Sequence, residues 1–95
     1  MTLAVLEPAT EGVLAEIPRA GVEETDAAVA RAKAALPAWR AVAPADRARL
    51  LYRLADALEA AREELAVLEA RNAGKPIGDA RGEMGMVADL SLIHI

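Results

Sequence analysis

Cysteine and phenylalanine are absent from this 95-residue sequence, and tryptophan, tyrosine and histidine each occur once. Without cysteine there is no disulfide framework, no thiolate metal ligand and no thiol nucleophile, a composition compatible with a reducing compartment such as the cytoplasm. The single histidine, His94, lies in the terminal apolar stretch with no second imidazole beside it, so no zinc ligand set exists and His94 reads as incidental. The scarcity of aromatics limits the core too. Hydrophobic residues make up 55% of the chain, yet much of that share is alanine, which favours helix and buries little area.

An excess of positive charge is also missing. The formal net charge is −4, and the arginines alternate with Asp and Glu, so no basic stripe is available to neutralise phosphates and nucleic acid is not an expected partner. Long apolar runs are missing as well. Glu7, Pro8, Glu11 and Glu16 interrupt the first residues, so no signal peptide is visible there, and the apolar stretch from Met84 carries Asp89 and falls short of the ~20 residues a bilayer requires. No membrane association is expected.

What the chain does contain is ordered punctuation. Leu3–Leu6 and Val13–Ile17 are β-prone runs flanking Glu7-Pro8-Ala9-Thr10-Glu11-Gly12, which predicts a β-hairpin over 3–17, with Pro18 ending the second strand. From Gly21 the spacing becomes helical. Val22, Val29, Ala32, Leu36 and Trp39 share a face, Glu23, Glu24 and Asp26 suit the positive end of the dipole, and Pro37 is expected to stop or kink the helix, giving about 22–36. Trp39 is expected to anchor the core between helices.

Pro44 suits a first helical position, and Leu51, Leu54, Leu58, Leu65 and Leu68 form the longest apolar stripe, over about 44–73, either as one helix or as two broken near Ala61. The opposite face sets Asp46 with Arg49, Arg53 with Asp56 and Glu59 with Arg62, a solvated charge pattern. Asn72-Ala73-Gly74 predicts a stop, with Gly74 left-handed and Pro76 following. A last helix, about 77–89, holds Gly78, Gly82 and Gly85 and so depends on tertiary contacts. The fold class is mainly α with an N-terminal β-hairpin, an α+β arrangement of three to four helices.

The motifs that carry chemistry fail on inspection. Gly74-Lys75 is not a phosphate loop, because Glu69 and Pro76 occupy the places of an obligatory glycine and a hydroxyl residue. Gly78, Gly82 and Gly85 are not a dinucleotide fingerprint, because Ala80 stands at the second glycine and no strand precedes them, so packing or capping explains them. No carboxylate is marked out for acid–base work.

In combination, however, several pieces carry a resemblance. Glu7-Pro8-Ala9-Thr10, Ala28-Val29 with Ala34 and Pro37-Ala38-Trp39, Arg47–Leu58, and Glu69–Pro76 follow one another as in the opening of the NAD(P)-dependent aldehyde dehydrogenases, and the chain resembles that family over about 5–89. The resemblance implies scaffold within the Rossmann-like cofactor domain, hairpin and helices packed beside its sheet. The family's cysteine nucleophile, general-base glutamate, oxyanion-hole asparagine and ribose-contacting lysine lie beyond this stretch, so no residue here inherits a catalytic, cofactor-binding or metal-ligating role. Some members hold a structural monovalent cation with a carboxylate of the last helix, which would point to Glu83, a role not assigned here.

The resemblance further implies an N-terminal fragment whose complete enzyme oxidises an aldehyde with NAD or NADP and is a homo-oligomer, the fragment itself binding no cofactor and being inactive. Arg71-Asn72-Ala73-Gly74-Lys75-Pro76-Ile77 with Arg81-Gly82-Glu83 is similar to members acting on betaine aldehyde or aminoaldehydes. Two departures stand out. The chain has Glu11-Gly12 where the family has Gly then Glu, which moves the residue best able to adopt positive φ and predicts a rebuilt turn. Residues 1–89 form the family segment, while Leu90–Ile95 resembles translated sequencing-adapter read-through in place of an aromatic-rich continuation. The alternative is a small helical interaction module that binds a partner helix through the Leu51–Leu68 stripe.

Overall fold

A computed structural model describes residues 1–94. Six principal elements follow in order: β1 (Thr2–Leu6), β2 (Val13–Pro18), α1 (Val22–Ala41), α2 (Pro44–Ala60), α3 (Arg62–Ala73) and α4 (Ile77–Ser91), with a short 3-10 turn, Leu92–His94, at the end. The class is the one read from the sequence, mainly helical with an N-terminal hairpin.

In the hairpin β1 and β2 run antiparallel, pairing Leu3 with Ile17 and Val5 with Ala15, and a bulge at Leu14 lets Leu6 pair with Val13. Direct partners share a face, so Leu3, Val5 and Ile17 form one apolar surface. It stays largely open to solvent: Leu3 and Ile17 remain 53% and 43% exposed, while Val5 is half-buried. The loop is closed by the Glu7 amide donating to the Gly12 carbonyl (2.8 Å) and the Glu11 amide donating to the Glu7 carbonyl (2.8 Å).

Helix α1 begins at Gly21, whose amide donates to the Glu24 carboxylate (2.8 Å) while the Thr25 hydroxyl donates to the Gly21 carbonyl (2.9 Å). It continues to Ala41, past the expected end at Leu36, so of the stop or kink expected at Pro37 the stop does not occur. A proline removes one donor and crowds the preceding turn. Every residue of α1 is exposed, so solvent can hydrate the Lys33 carbonyl that loses its usual donor, and the four helical residues beyond Pro37 suffice to close the last turn. That exposure also corrects the expectation for Trp39, which is 42% exposed and anchors no core.

The Leu51–Leu68 stripe lies on two helices. Ala61, at φ −92° and ψ 7°, bends the chain between α2 and α3, and both then pack against α4. The core is small: among the described residues Ala55, Ala66, Ala80 and Ala88 are buried, and no large side chain is fully so. Small residues at these contacts let the helix backbones approach closely. The stripe divides accordingly. Leu51, Leu58 and Leu65 are half-buried, whereas Leu54 and Leu68 face outward. The interaction-module expectation therefore loses part of its surface to internal packing.

Gly74 closes α3 in the left-handed region at φ 74°, as its position predicts, and its amide donates to the Ala70 carbonyl (2.9 Å). Helix α4 starts after Pro76 and extends to Ser91, two residues beyond the expected end at Asp89. Ser91 Oγ donates to the Ala88 carbonyl (2.6 Å), and Leu92 of the following turn is half-buried near α2. Ile95 lies outside the described residues.

The chain exposes 7215 Å², where a compact monomer of this mass exposes about 5,200 Å². Its radius of gyration, 17.1 Å, exceeds the roughly 12 Å of a compact domain of this length. Both excesses arise from α1 and the hairpin standing off the α2–α4 cluster.

Candidate functional site

The polar groups that the fold brings together lie along α3 and α4 and at the hairpin tip. Arg81 of α4 donates twice to Glu63 of α3, Nε to Oε2 at 2.9 Å and Nη2 to Oε1 at 2.8 Å, a planar two-bond pair between neighbouring helices. These bonds hold the Glu63 carboxyl below its ordinary value and raise the Arg81 guanidinium above its own. Arg62 donates to the Arg81 carbonyl (3.0 Å) and to Glu59 (3.1 Å), with its guanidinium lying over Gly85. A β-carbon at Gly85 would sit 3.4 Å from that guanidinium, an ordinary van der Waals distance.

At the other end of this face, Lys75 Nζ donates to Glu83 and, at 3.4 Å, to Glu69. Glu83 raises the Lys75 pKa above its ordinary value, desolvation partly opposes it, and Glu69 adds to the rise. The carboxylate that the resemblance offered to a monovalent cation thus already faces an ammonium. Among the described residues no group of three or more His, Asp or Glu side chains is arranged to hold a metal ion. His94 lies exposed in the terminal turn, apart from this cluster.

Glu7 in the hairpin loop completes the set. Its Oε1 accepts from Arg71 Nε of α3 (3.1 Å) and its Oε2 from the Thr10 hydroxyl (3.1 Å), and these two bonds, Arg71 first, keep its carboxyl below the ordinary value. Sequence reasoning missed this pair, because its members are separated by 64 positions. Arg47 was missed in the same way. Its Nη1 donates to the Arg40 and Val42 carbonyls (3.2 and 2.9 Å), tying the end of α1 to α2. Of the helix-face pairs read from spacing, Asp46–Arg49 and Glu59–Arg62 form, while Arg53 and Asp56 do not pair among the described residues.

The surface depressions have no comparable chemistry. One of about 360 Å³ at the start of α1 is lined by Ala20, Gly21, Val22, Thr25 and Asp26, and the polar atoms of Gly21 and Thr25 there bond to one another or to Glu24. A second of about 280 Å³ lies on α2 between Asp46, Arg49, Leu50 and Arg53. The Asp46–Arg49 pair borders this second, open depression, and the other ion pairs described above join helices, turns or the hairpin loop; among the described residues none converges on an enclosed space that could hold a reacting group.

The family model described as "Aldehyde dehydrogenase family" matches residues 1–93. The chain belongs to the aldehyde dehydrogenase family. It is 45% identical over 75 residues to a 2-aminomuconic semialdehyde dehydrogenase of Danio rerio, covering 79% of this chain and 15% of that protein. It is 50% identical over 76 residues to a phenylacetaldehyde dehydrogenase of Pseudomonas fluorescens, covering 78% of this chain and 15% of that protein. The fold superposes on the solved structure of PnpE in complex with nicotinamide adenine dinucleotide with a TM-score of 0.92 at 41% identity, over 98% of this chain and 19% of that one. The chain therefore spans about a sixth of the length of the aldehyde dehydrogenases it matches. Its helices and hairpin are those of the corresponding part of the family's cofactor domain.

Proposed function

We propose that this chain is the opening scaffold segment of an aldehyde dehydrogenase whose complete form oxidises an aldehyde to a carboxylic acid with NAD or NADP. The observation that carries the reading is the family match across residues 1–93, supported by the superposition on an NAD-bound relative over nearly the whole chain. In that reaction a cysteine would supply the nucleophile for the aldehyde carbon and the nicotinamide cofactor would supply the hydride acceptor. The 95 residues include no cysteine, so the nucleophile would come from elsewhere in the enzyme.

Within the complete enzyme these residues would act indirectly. The α3–α4 ion pairs hold a small helical layer in register, and α1 offers Val22, Val29, Leu36 and Trp39 as an uncovered apolar face for further structure. For substrate class we propose a betaine aldehyde or aminoaldehyde, on the Arg71–Ile77 pattern alone. The relatives' names, a semialdehyde in one and an aromatic aldehyde in another, leave that class to experiment.

The decisive test has two arms. Sequencing the locus past the codon for Asp89 should reveal an open frame continuing to a cysteine, and the product of that frame should reduce NAD or NADP in the presence of an aldehyde. The 95-residue chain alone should reduce neither cofactor with any aldehyde. Turnover by the purified short chain would overturn the placement of the chemistry outside it.

A further inference from the structure

An isolated two-stranded hairpin is marginal in water, and this one turns an uncovered apolar face to solvent, so its order depends on how it is tied to the helices. Among the described residues one side-chain hydrogen bond crosses from hairpin to helix, from Arg71 Nε to Glu7 Oε1 at 3.1 Å. Glu7 is the less exposed partner, its side chain at 19% against 51% for Arg71, and its other oxygen is held by Thr10. Pro8 lies beside the Cα of Gly74, where a β-carbon would come within 3.4 Å of the proline ring. The loop therefore meets the helix end through two adjoining contacts, one ionic and one apolar.

Glu7 also supports the loop from within. Its amide donates to Gly12, and its carbonyl accepts from the amides of Thr10 (3.3 Å) and Glu11 (2.8 Å). Glu11 sits at φ 61°, a left-handed conformation unfavourable for a residue with a β-carbon. The same residue thus closes a strained turn and fastens that turn to α3.

We propose that Glu7 and Arg71 form a latch that seats the hairpin on the C-terminal end of α3, with Pro8 against Gly74 as its apolar half. The latch governs the hairpin's position and leaves the α2–α4 cluster untouched, because that cluster has its own core and ion pairs. It is independent of the activity proposed above, since it is read from this chain's internal contacts.

Amide hydrogen exchange on the full 95-residue chain tests it. The strand amides of β1 and β2 should be protected in the parent chain, and E7Q and R71Q should each reduce that protection about fivefold, as for a partly exposed ion pair. Amides of α2, α3 and α4 should keep theirs. The double variant should lose no more than either single one, because both remove the same interaction. The charge-exchanged chain, E7R with R71E, should recover most of the protection.

Unchanged strand protection in both single variants would refute the latch, and so would additive losses in the double variant. Failure of the charge exchange to recover protection would show that the two charges do not act as a pair. Loss of helix protection in both single variants would assign the pair to the whole fold and remove its special role at the hairpin. Strand amides exchanging in the parent chain at the rate of an unstructured peptide would sink the proposal outright.

Discussion

Helices α2–α4 and the pair formed by α1 and the hairpin are built from similar residues but stabilised in opposite ways. Among the described residues all four buried ones lie on α2, α3 and α4; Arg81–Glu63 joins α4 to α3, and Lys75, in the connection between those helices, pairs with Glu83 of α4. Helix α1 is longer than any of them and has no buried residue. Its apolar periodicity is weaker than that of α2 but no weaker than that of α3, which is packed, so periodicity alone does not separate a helix that has found its partner from one that has not. What separates them is whether another element in the same chain reaches that face. The family assignment gives the difference a cause, since the chain spans about a sixth of its relatives' length.

The largest expected effect would break this comparison if it appeared in the wrong region. Ala66 is completely buried where α3 meets its neighbours, so A66L forces extra volume into a close helix contact and should destabilise the cluster by about 1–3 kcal/mol. The same substitution at exposed Ala34 of α1 should change stability by less than about 0.5 kcal/mol. Urea unfolding followed by far-ultraviolet circular dichroism measures both. Equal losses at the two positions would mean that α1 is packed in solution and that the two regions are one.

Next in size is the turn at the hairpin tip. Placing Glu before Gly predicts a turn rebuilt around Gly12, yet the positive φ stays at position 11, now on Glu11. The loop's hydrogen bonds to Glu7 fix the geometry, and the residue type has to accept it. E11G should therefore stabilise the hairpin by about 1 kcal/mol, seen as slower exchange of the β1 and β2 amides. If the regions are as separate as their packing indicates, the urea midpoint of the helices should not move. A coupled shift of both would show that the hairpin transmits more than a latch.

Glycines in α4 sharpen the comparison within the better-packed region. Gly82 has open space where a β-carbon would go, whereas Gly85 has the Arg62 guanidinium 3.4 Å from that position. G82A and G85A should each gain up to about 1 kcal/mol from helix propensity, because the methyl added at Gly85 meets the Arg62 guanidinium only at van der Waals distance and leaves its bond to the Arg81 carbonyl in place. Thermal melts of the two variants decide it, and a loss at Gly85 would show that Arg62 is held too rigidly to accept that contact.

These positions also mark what was legible in the sequence. Local rules worked where the cause was local: Pro44 opens α2, Gly74 closes α3 in the left-handed region, and the break near Ala61 is real. They failed at Pro37 and Trp39, where the outcome depends on what lies against the helix. A proline can stay in a helix that solvent surrounds, and a tryptophan anchors a core only if there is one. The cluster of ion pairs was legible only in part. Spacing of three residues found Asp46–Arg49 and Glu59–Arg62, while Glu63–Arg81 and Glu7–Arg71 join residues 18 and 64 positions apart and depend on tertiary placement.

The smallest expected effect concerns those long-range pairs and follows from the direction of their titration. Glu7 and Glu63 have folded-state values below the ordinary carboxylate value, so their contribution is complete above that ordinary value and is lost as pH falls through the lowered one. Lys75 has a folded-state value above the ordinary lysine value, so its contribution is complete below that ordinary value and disappears as pH rises through the raised one. Helix stability should consequently be flat near neutrality and decline at both extremes. The two declines belong to different pairs. E63Q should shrink the acid decline of the helices and spare the alkaline one, and K75M should do the reverse, both measured as urea midpoints across pH. Glu7 is expected to contribute to hairpin exchange in acid and little to the helical midpoint. If E7Q altered the acid decline of the helices as much as E63Q, the hairpin and the helical cluster would have to be treated as one cooperative unit.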